Sequence, residues 1–173
     1  LKIFNKKVNF SFRENFNLKN VEIIESSHLL KLYLNKILNH IKKFQGGLII
    51  FDYAPFIKKK IDTIQAIYNK KKCHFLDYPY DSDITYHIDI KEICDLAIKK
   101  NLNVYGPINQ KKFLFYNGIN ERHNFLIMNC ESIKKKKILN LQYQRLIDPN
   151  GLGGLIKCIY ISNEKLNMKF FNE

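Results

Sequence analysis

Between Ser26 and Tyr53 the chain runs an amphipathic helical pattern straight into an apolar strand, and that order restricts the fold more than any other feature. Leu30, Tyr33, Leu34, Ile37, Leu38 and Ile41 recur at the spacing of one helix face. Ser26 or Ser27 supplies an N-cap, Lys42 and Lys43 complement the last turn, and Gly46-Gly47 stops the helix. The following "LIIFD" reads as a strand buried on both faces, as in a parallel sheet. It ends on Asp52 and Tyr53, an acid and a phenol at the strand end where α/β proteins place their ligands.

The rest of the chain continues the alternation. Val8, Phe10 and Phe12 alternate as a strand would, within a polar lead-in over residues 1–20. Residues 53–82 read as a long irregular loop in which "DTIQAIY" is a short strand or turn. In "DITYHIDI", strand alternation puts Asp83, Thr85, His87 and Asp89 on one face. Asp89 and Glu92 then form a capping box that opens a helix to about Lys100. "LNVYGP" is a short strand ended by Gly-Pro, and Asn109 opens a helix closed by Gly118. A helical stretch follows over about 120–146, then a loop with Pro149, Gly151, Gly153 and Gly154, then a last strand "LIKCIYIS". Helix, strand, helix, strand, helices, strand predicts one α/β domain with a mostly parallel sheet.

The 173 residues suffice for such a domain, and 46% are apolar, enough for a core. The net charge of +13 is nearly all lysine; arginine stands only at 13, 122 and 145. Sequence-specific nucleic-acid readers favour arginine, so nucleic acid is not the expected partner. With the abundance of Asn, Ile, Lys, Phe and Tyr, the charge reads as AT-rich coding. No apolar run reaches the ~20 residues that span a bilayer. Cys73, Cys94, Cys130 and Cys158 are too scattered for metal-ligand spacing and read as reduced thiols. None of the seven glycines forms a nucleotide-binding loop, because Gly151-x-Gly153-Gly154 precedes a strand where such a loop would follow one.

A series of short motifs, in order, resembles the carboxy-terminal half of the MidA family of class I SAM-dependent methyltransferases. "VEIIESS" is similar to the family's E-x-S element at Glu25 and Ser27; "LIIFDYA" to its IDYG strand end at Asp52 and Tyr53; "DTIQA" to DTLQA from Asp62. "DITYHID" is similar to DLTAHVD at Asp83, Thr85, His87 and Asp89. "GPINQKKFLFYNGI" resembles GPxxQxxFLxxxGI at Gly106, Pro107, Gln110, Phe113, Leu114, Gly118 and Ile119. "DPNGLGGLIKCIYIS" resembles the closing DPxxMGxLFKVLALTS at Pro149, Gly153 and Lys157. Ala54 replaces the family glycine after Asp-Tyr, and the family's SAM-binding glycine loop and its ribose-holding acid are unmatched.

The resemblance implies a partial Rossmann-like α/β fold with a helical insertion, lacking the SAM-loop half. Residues 1–20 would be a lead-in, 21–162 the carboxy-terminal part of the methyltransferase domain, and 163–173 a tail. It implies methyl transfer to a protein arginine, with S-adenosyl-L-methionine as the cofactor of the full-length family member. Asp52, Tyr53, Asp83 and His87 are the expected catalytic residues, and Glu25, Thr85 and Gln110 the expected substrate-binding ones. The expected substrate is a protein, with a respiratory complex I subunit as the family's example, in a bacterial cytoplasm or mitochondrial matrix. The alternative is a non-catalytic remnant or the partner-binding half of a split enzyme, pairing with another copy or with a complementing amino-terminal half.

Overall fold

The computed structural model describes residues 2–4, 7–9, 23, 25–57, 61–168 and 171. Two short strands, β1 (Lys2–Phe4) and β2 (Lys7–Asn9), pair antiparallel near the start. Val8 lies in β2; Phe10 and Phe12 fall outside the described residues. The first helix, α1 (His28–Phe44), begins where the sequence places it, with the Ser27 hydroxyl accepting from the Leu30 N–H at 3.1 Å. Gln45 and Gly46 turn the chain at positive φ into β3 (Gly47–Tyr53). Gly47 is thus a strand residue, not a stop. A Cβ there would fall 2.1 Å from the Tyr160 hydroxyl.

The segment expected to be irregular over 53–82 carries a sheet of its own. Strands β4 (Gln65–Tyr68) and β5 (Lys71–Cys73) form a hairpin, and β6 (Asp83–Thr85) pairs on the other side of β4. The hairpin turns through two residues, Asn69 and Lys70, both at positive φ, the conformation that suits a two-residue hairpin. The strand signal is weak because Lys71 and Lys72 are exposed and lysine is a poor strand former.

Helix α2 (Ile90–Lys99) starts on the predicted box, with Asp89 accepting from the Glu92 N–H at 3.0 Å. Strand β7 (Asn103–Asn109) does not end at Gly-Pro but carries Gly106-Pro107 within it as a register irregularity. Asn109 caps α3 (Gln110–Tyr116), and the helical insertion continues as α4 (Ile119–Met128) and α5 (Ile133–Ile147). The glycine-rich loop contains a short helix, α6 (Leu152–Leu155), before β8 (Ile156–Ser162).

The main sheet has the order β3-β8-β7. Both β3 and β7 pair with β8 antiparallel, so they run parallel to each other with the last strand reversed between them. The fold is α/β and partly Rossmann-like, as expected, but the sheet is not mostly parallel as expected: each hydrogen-bonded pair in it is antiparallel. The reason is topological. The crossover through α2 leaves a gap between two parallel strands, and β8 enters it from the opposite end.

Alternation along β8 divides the core into two faces. Ile159 and Ile161 meet Leu34, Leu38 and Ile41 of α1 and Ile93 of α2. Cys158 lies on the other face with Tyr105, Ile108 and Phe171. Leu166 and Met168 pack there too, so the segment expected as a tail closes this second face. Each fully buried Leu or Ile contributes roughly 1.5–3 kcal/mol.

Cys158 is fully buried, and burial pushes its thiol up to about 12. The unfolded chain therefore loses this proton first. The stability this thiol confers is whole below about pH 9 and falls as pH rises toward 12, by about 1.4 kcal/mol per unit within that window. We expect Cys158 to resist a thiol reagent at pH 8 until urea unfolds the chain, while Cys73 and Cys130, at partly exposed positions, react in the native state. Native labelling of Cys158 at the rate of Cys73 would contradict this packing.

Candidate active site

The carboxyl end of β3 is where four sequence-distant segments meet. Strand alternation sends Asp52 to the face covered by α1 and α2, alongside Leu48 and Ile50, and Tyr53 to the opposite face. The Tyr53 N–H donates to Asp52 Oδ1 at 2.7 Å, which holds the carboxylate at the strand end. The Tyr53 carbonyl accepts from the Ile88 N–H at 3.0 Å, which anchors the 86–88 segment beside it.

Thr63 ties this corner together. Its N–H donates to Glu25 Oε1 at 2.6 Å and its hydroxyl to Glu25 Oε2 at 2.6 Å. The same hydroxyl oxygen accepts from the His87 N–H at 2.8 Å. A hydroxyl offers one proton and can accept as well, and here both capacities are used. Glu25, Thr63, His87, Ile88 and Tyr53 thus form a continuous hydrogen-bonded path across separations of 38 and 24 residues.

Tyr86 stands beside that path. Its hydroxyl is hydrogen-bonded to Ser27. Burial raises its pKa, the nearby Asp52, Glu25 and Glu92 carboxylates raise it further, and the Ser27 bond acts the other way. The phenol is a donor at neutral pH. Tyr86 lines a cleft of about 450 Å³ between α1 and α2, with Glu25, Ser27, Leu34, Asp89 and Glu92. Lys31 bridges to Glu92 at 2.7 Å, and that pair raises the lysine's pKa. On a chain of charge +13, this corner gathers Glu25, Asp52 and Glu92 around a phenol, an arrangement suited to a cation that also donates hydrogen bonds.

Of the residues expected in a site, Glu25, Asp52 and His87 come together, His87 through its backbone N–H; Tyr53 joins them through its backbone groups, with its side chain on the opposite face. Asp83 and Thr85 do not share a face with His87. The strand stops at Thr85, both residues are exposed on β6 opposite Ile67 and Gln65, and Asp89 is spent on its helix cap. Gln110 is buried and donates to the Leu146 carbonyl at 3.0 Å, so it ties α3 to α5. Three members were not singled out by sequence: Thr63, Tyr86 and the cleft-lining role of Ser27. Thr63 lies in the "DTIQA" motif, which is the available signal; Tyr86 falls on the other side of the strand alternation, between the apolar Ile84 and Ile88.

Lys157 is 4% exposed and stands in register with Asp52 on one side and Asn109 on the other. Its ammonium donates to the Gly154 carbonyl and lies 4.4 Å from the centroid of the Phe56 ring, and burial lowers its pKa. It pins the loop after β3 to the turn before β8. Among the described residues, no group of three His, Cys, Asp or Glu side chains is placed to hold a metal ion.

No protein-family model matches the chain. It is 29% identical over 119 residues to the "Protein arginine methyltransferase NDUFAF7 homolog, mitochondrial" of Caenorhabditis elegans, a match covering 69% of this chain and 28% of that protein. Two solved structures from Burkholderia thailandensis share its fold. One is an uncharacterised protein, at TM-score 0.65 and 18% identity, over 80% of this chain and 39% of that one. The other is a candidate methyl transferase bound to S-adenosyl-homocysteine, at TM-score 0.66 and 18% identity, over 82% and 38%. The chain therefore spans less than two fifths of the length of each of these proteins. In sequence and in fold, the chain resembles a portion of a MidA-like methyltransferase.

Proposed function

We propose that this chain forms the acceptor side of a SAM-dependent methyltransferase that modifies arginine in a protein. The observation that carries the reading is the hydrogen-bonded corner of Glu25, Thr63, His87 and Tyr53 beside Asp52 and Tyr86. Similarity to a protein named as an arginine methyltransferase supports it.

The described residues do not fit the cofactor by themselves. A SAM cradle needs backbone N–H groups free to face the ligand after a strand. In the 148–154 turn those groups are used internally: Gly151 N and Gly154 N donate to the Asp148 carbonyl, and Leu155 N to Gly151. No step through the cofactor is therefore assigned to this chain. What its residues do is hold the acceptor. A guanidinium entering the cleft would meet the Tyr86 phenol and the Glu25 carboxylate clamped by Thr63, with Asp52 behind the wall, near enough to act on Tyr86, as further counter-charge. A respiratory complex I subunit is the acceptor that the resemblance nominates. The compartment in this reading is the bacterial cytoplasm or the mitochondrial matrix. No described helix is long and apolar enough to cross a membrane.

The test is methyl transfer from labelled SAM by the longest natural polypeptide that contains this chain, followed by hydrolysis of the acceptor protein to amino acids. Label should run as methylated arginine, and Asp52→Asn should lower kcat/KM by roughly 10²-fold. Label in lysine, or none, would sink the reading.

A further inference from the structure

The helical insertion ends in a tip that stands away from the sheet. Neither α4 nor α5 has a buried residue. Tyr143 donates to Asn120 at 2.6 Å, and His123 meets Asn140 at 2.8 Å, a pairing that sets the two helices antiparallel. The base of this hairpin is tied to the fold by Gln110, which donates to the Leu146 carbonyl. Ile133, at the other end of α5, lies roughly 20 Å from that tie along the helix.

The far end carries Met128 and Ile133, 82% and 86% exposed. Among the described residues, Ile57 is the one other large apolar side chain exposed to that degree. Phe125, one turn back on α4, is exposed as well. Directly after Ile133 stand Lys134, Lys135, Lys136 and Lys137, against one acid at the tip, Glu131. The first turn of α5 holds no acid at all. A helix N-terminus is the positive end of its dipole, so lysines there work against the helix. Among the described residues none of the four forms an ion pair. AT-rich coding accounts for how many lysines the chain has, not for four of them beside its most exposed apolar side chains.

We infer that this tip docks on an anionic membrane surface: Met128 and Ile133 enter the boundary between headgroups and acyl chains, and the lysines stay at the level of the lipid phosphates. Shape selects a bilayer over a protein. A standard protein interface covers about 800 Å² of each partner around an apolar centre. The turn between two helices is a convex end, and lipid accepts such an end without a matching counter-shape. Nucleic acid would use the lysines but leave Met128 and Ile133 without a role, and no aromatic residue stands between Met128 and Ile138 for a base to stack on. The contact is peripheral and does not rest on the methyltransferase reading.

The experiment is co-sedimentation with vesicles of the longest natural polypeptide that contains this chain. One set of vesicles is phosphatidylcholine; the other is an equal mixture of phosphatidylcholine and phosphatidylglycerol. Binding should be confined to the mixed vesicles and weaken as salt rises. Met128→Ser with Ile133→Ser should weaken it roughly hundredfold, about tenfold for each side chain withdrawn from lipid. Lys134→Gln, Lys135→Gln and Lys137→Gln together should weaken it roughly as much, about fivefold per lysine. All five side chains are exposed, so both variants should unfold at the native Tm. Insertion has its own readout. Met128→Trp should add fluorescence that brominated lipid quenches, whereas that of Asn150→Trp, past the other end of α5, should not be quenched. No binding, equal binding to both vesicle sets, binding that survives the serine changes, or no quenching at position 128 overturns the inference. Retention of RNA or of an acidic polypeptide in place of vesicles would give the lysines to that partner and overturns it too.

Discussion

Gly154→Ala should destabilise the chain by about 3 kcal/mol or more, at or above the top of the usual range for overpacking. A Cβ at this position would lie 1.8 Å from the Pro149 carbonyl oxygen and 2.8 Å from its carbon. Both are backbone atoms, so no side chain can swing aside. The backbone angle at Gly154 is not the difficulty; space is. Opening the turn would break the bonds from Gly154 N to the carbonyls of Asp148 and Gly151. It would also displace the Gly154 carbonyl that holds Lys157, and the Leu155 carbonyl that accepts from Ala54 at the exit of β3. Gly151→Ala is the matched control, because its added carbon meets only the Asp148 side chain, which can rotate. Thermal unfolding checks both: for a chain of this size, 3 kcal/mol lowers Tm by roughly 6–12 °C. Gly151→Ala should move it far less. Equal shifts would mean that the turn adapts and that the close approach carries no stability.

Much of what positions this corner could be read from the sequence, and the reasons differ by element. The helix at 28–44 announced itself because it obeys one period over several repeats, and the strand at 47–53 as a continuous apolar run. That run was expected to be buried on both faces, but burial alternates along it and Ile49 and Phe51 are exposed, because apolarity alone does not say which faces find a neighbour. The Asp89 cap was legible because capping is local chemistry, settled within four residues. The direction of β8 was not, since periodicity reports which faces are buried and says nothing of which neighbour a strand takes. The β4-β5 hairpin was hidden by exposed lysines and by a turn built on Asn-Lys in place of Asn-Gly. Motif resemblance located Gln110 and Glu25 equally well but could not tell their tasks apart. One bonds a helix-end carbonyl, and the other closes onto Thr63 across 38 residues. Long-range bonds of that kind leave no trace in local pattern.

Thr63 is where that invisible part of the structure can be tested. Thr63→Val keeps the shape and removes the hydroxyl. Glu25 Oε2 then loses its donor and the His87 N–H its acceptor. A hydrogen bond to a charged group is worth about 1.5–3 kcal/mol, and a buried group left without a partner costs about 1–3 kcal/mol. These groups are only half-buried, so water screens part of the loss. We expect about 2 kcal/mol in urea unfolding, within each of those ranges, which describe the same loss and do not add. Thr63→Ser keeps the hydroxyl and should stay within about 0.5–1 kcal/mol of the native chain, the scale of one lost methyl. The ordering of the two variants decides the question. If valine costs more than serine, the hydroxyl holds Glu25 and His87 together. If serine costs more than valine, Thr63 acts through its methyl group, and the corner is held by the Tyr53–Ile88 bond and packing instead. A second readout separates local loosening from global loss. Amide exchange at His87 should quicken in Thr63→Val under conditions where the α1 amides of Leu38 and Ile41 stay protected. Faster exchange at all three would place the effect in the whole fold and remove Thr63 as the tie of the acceptor wall.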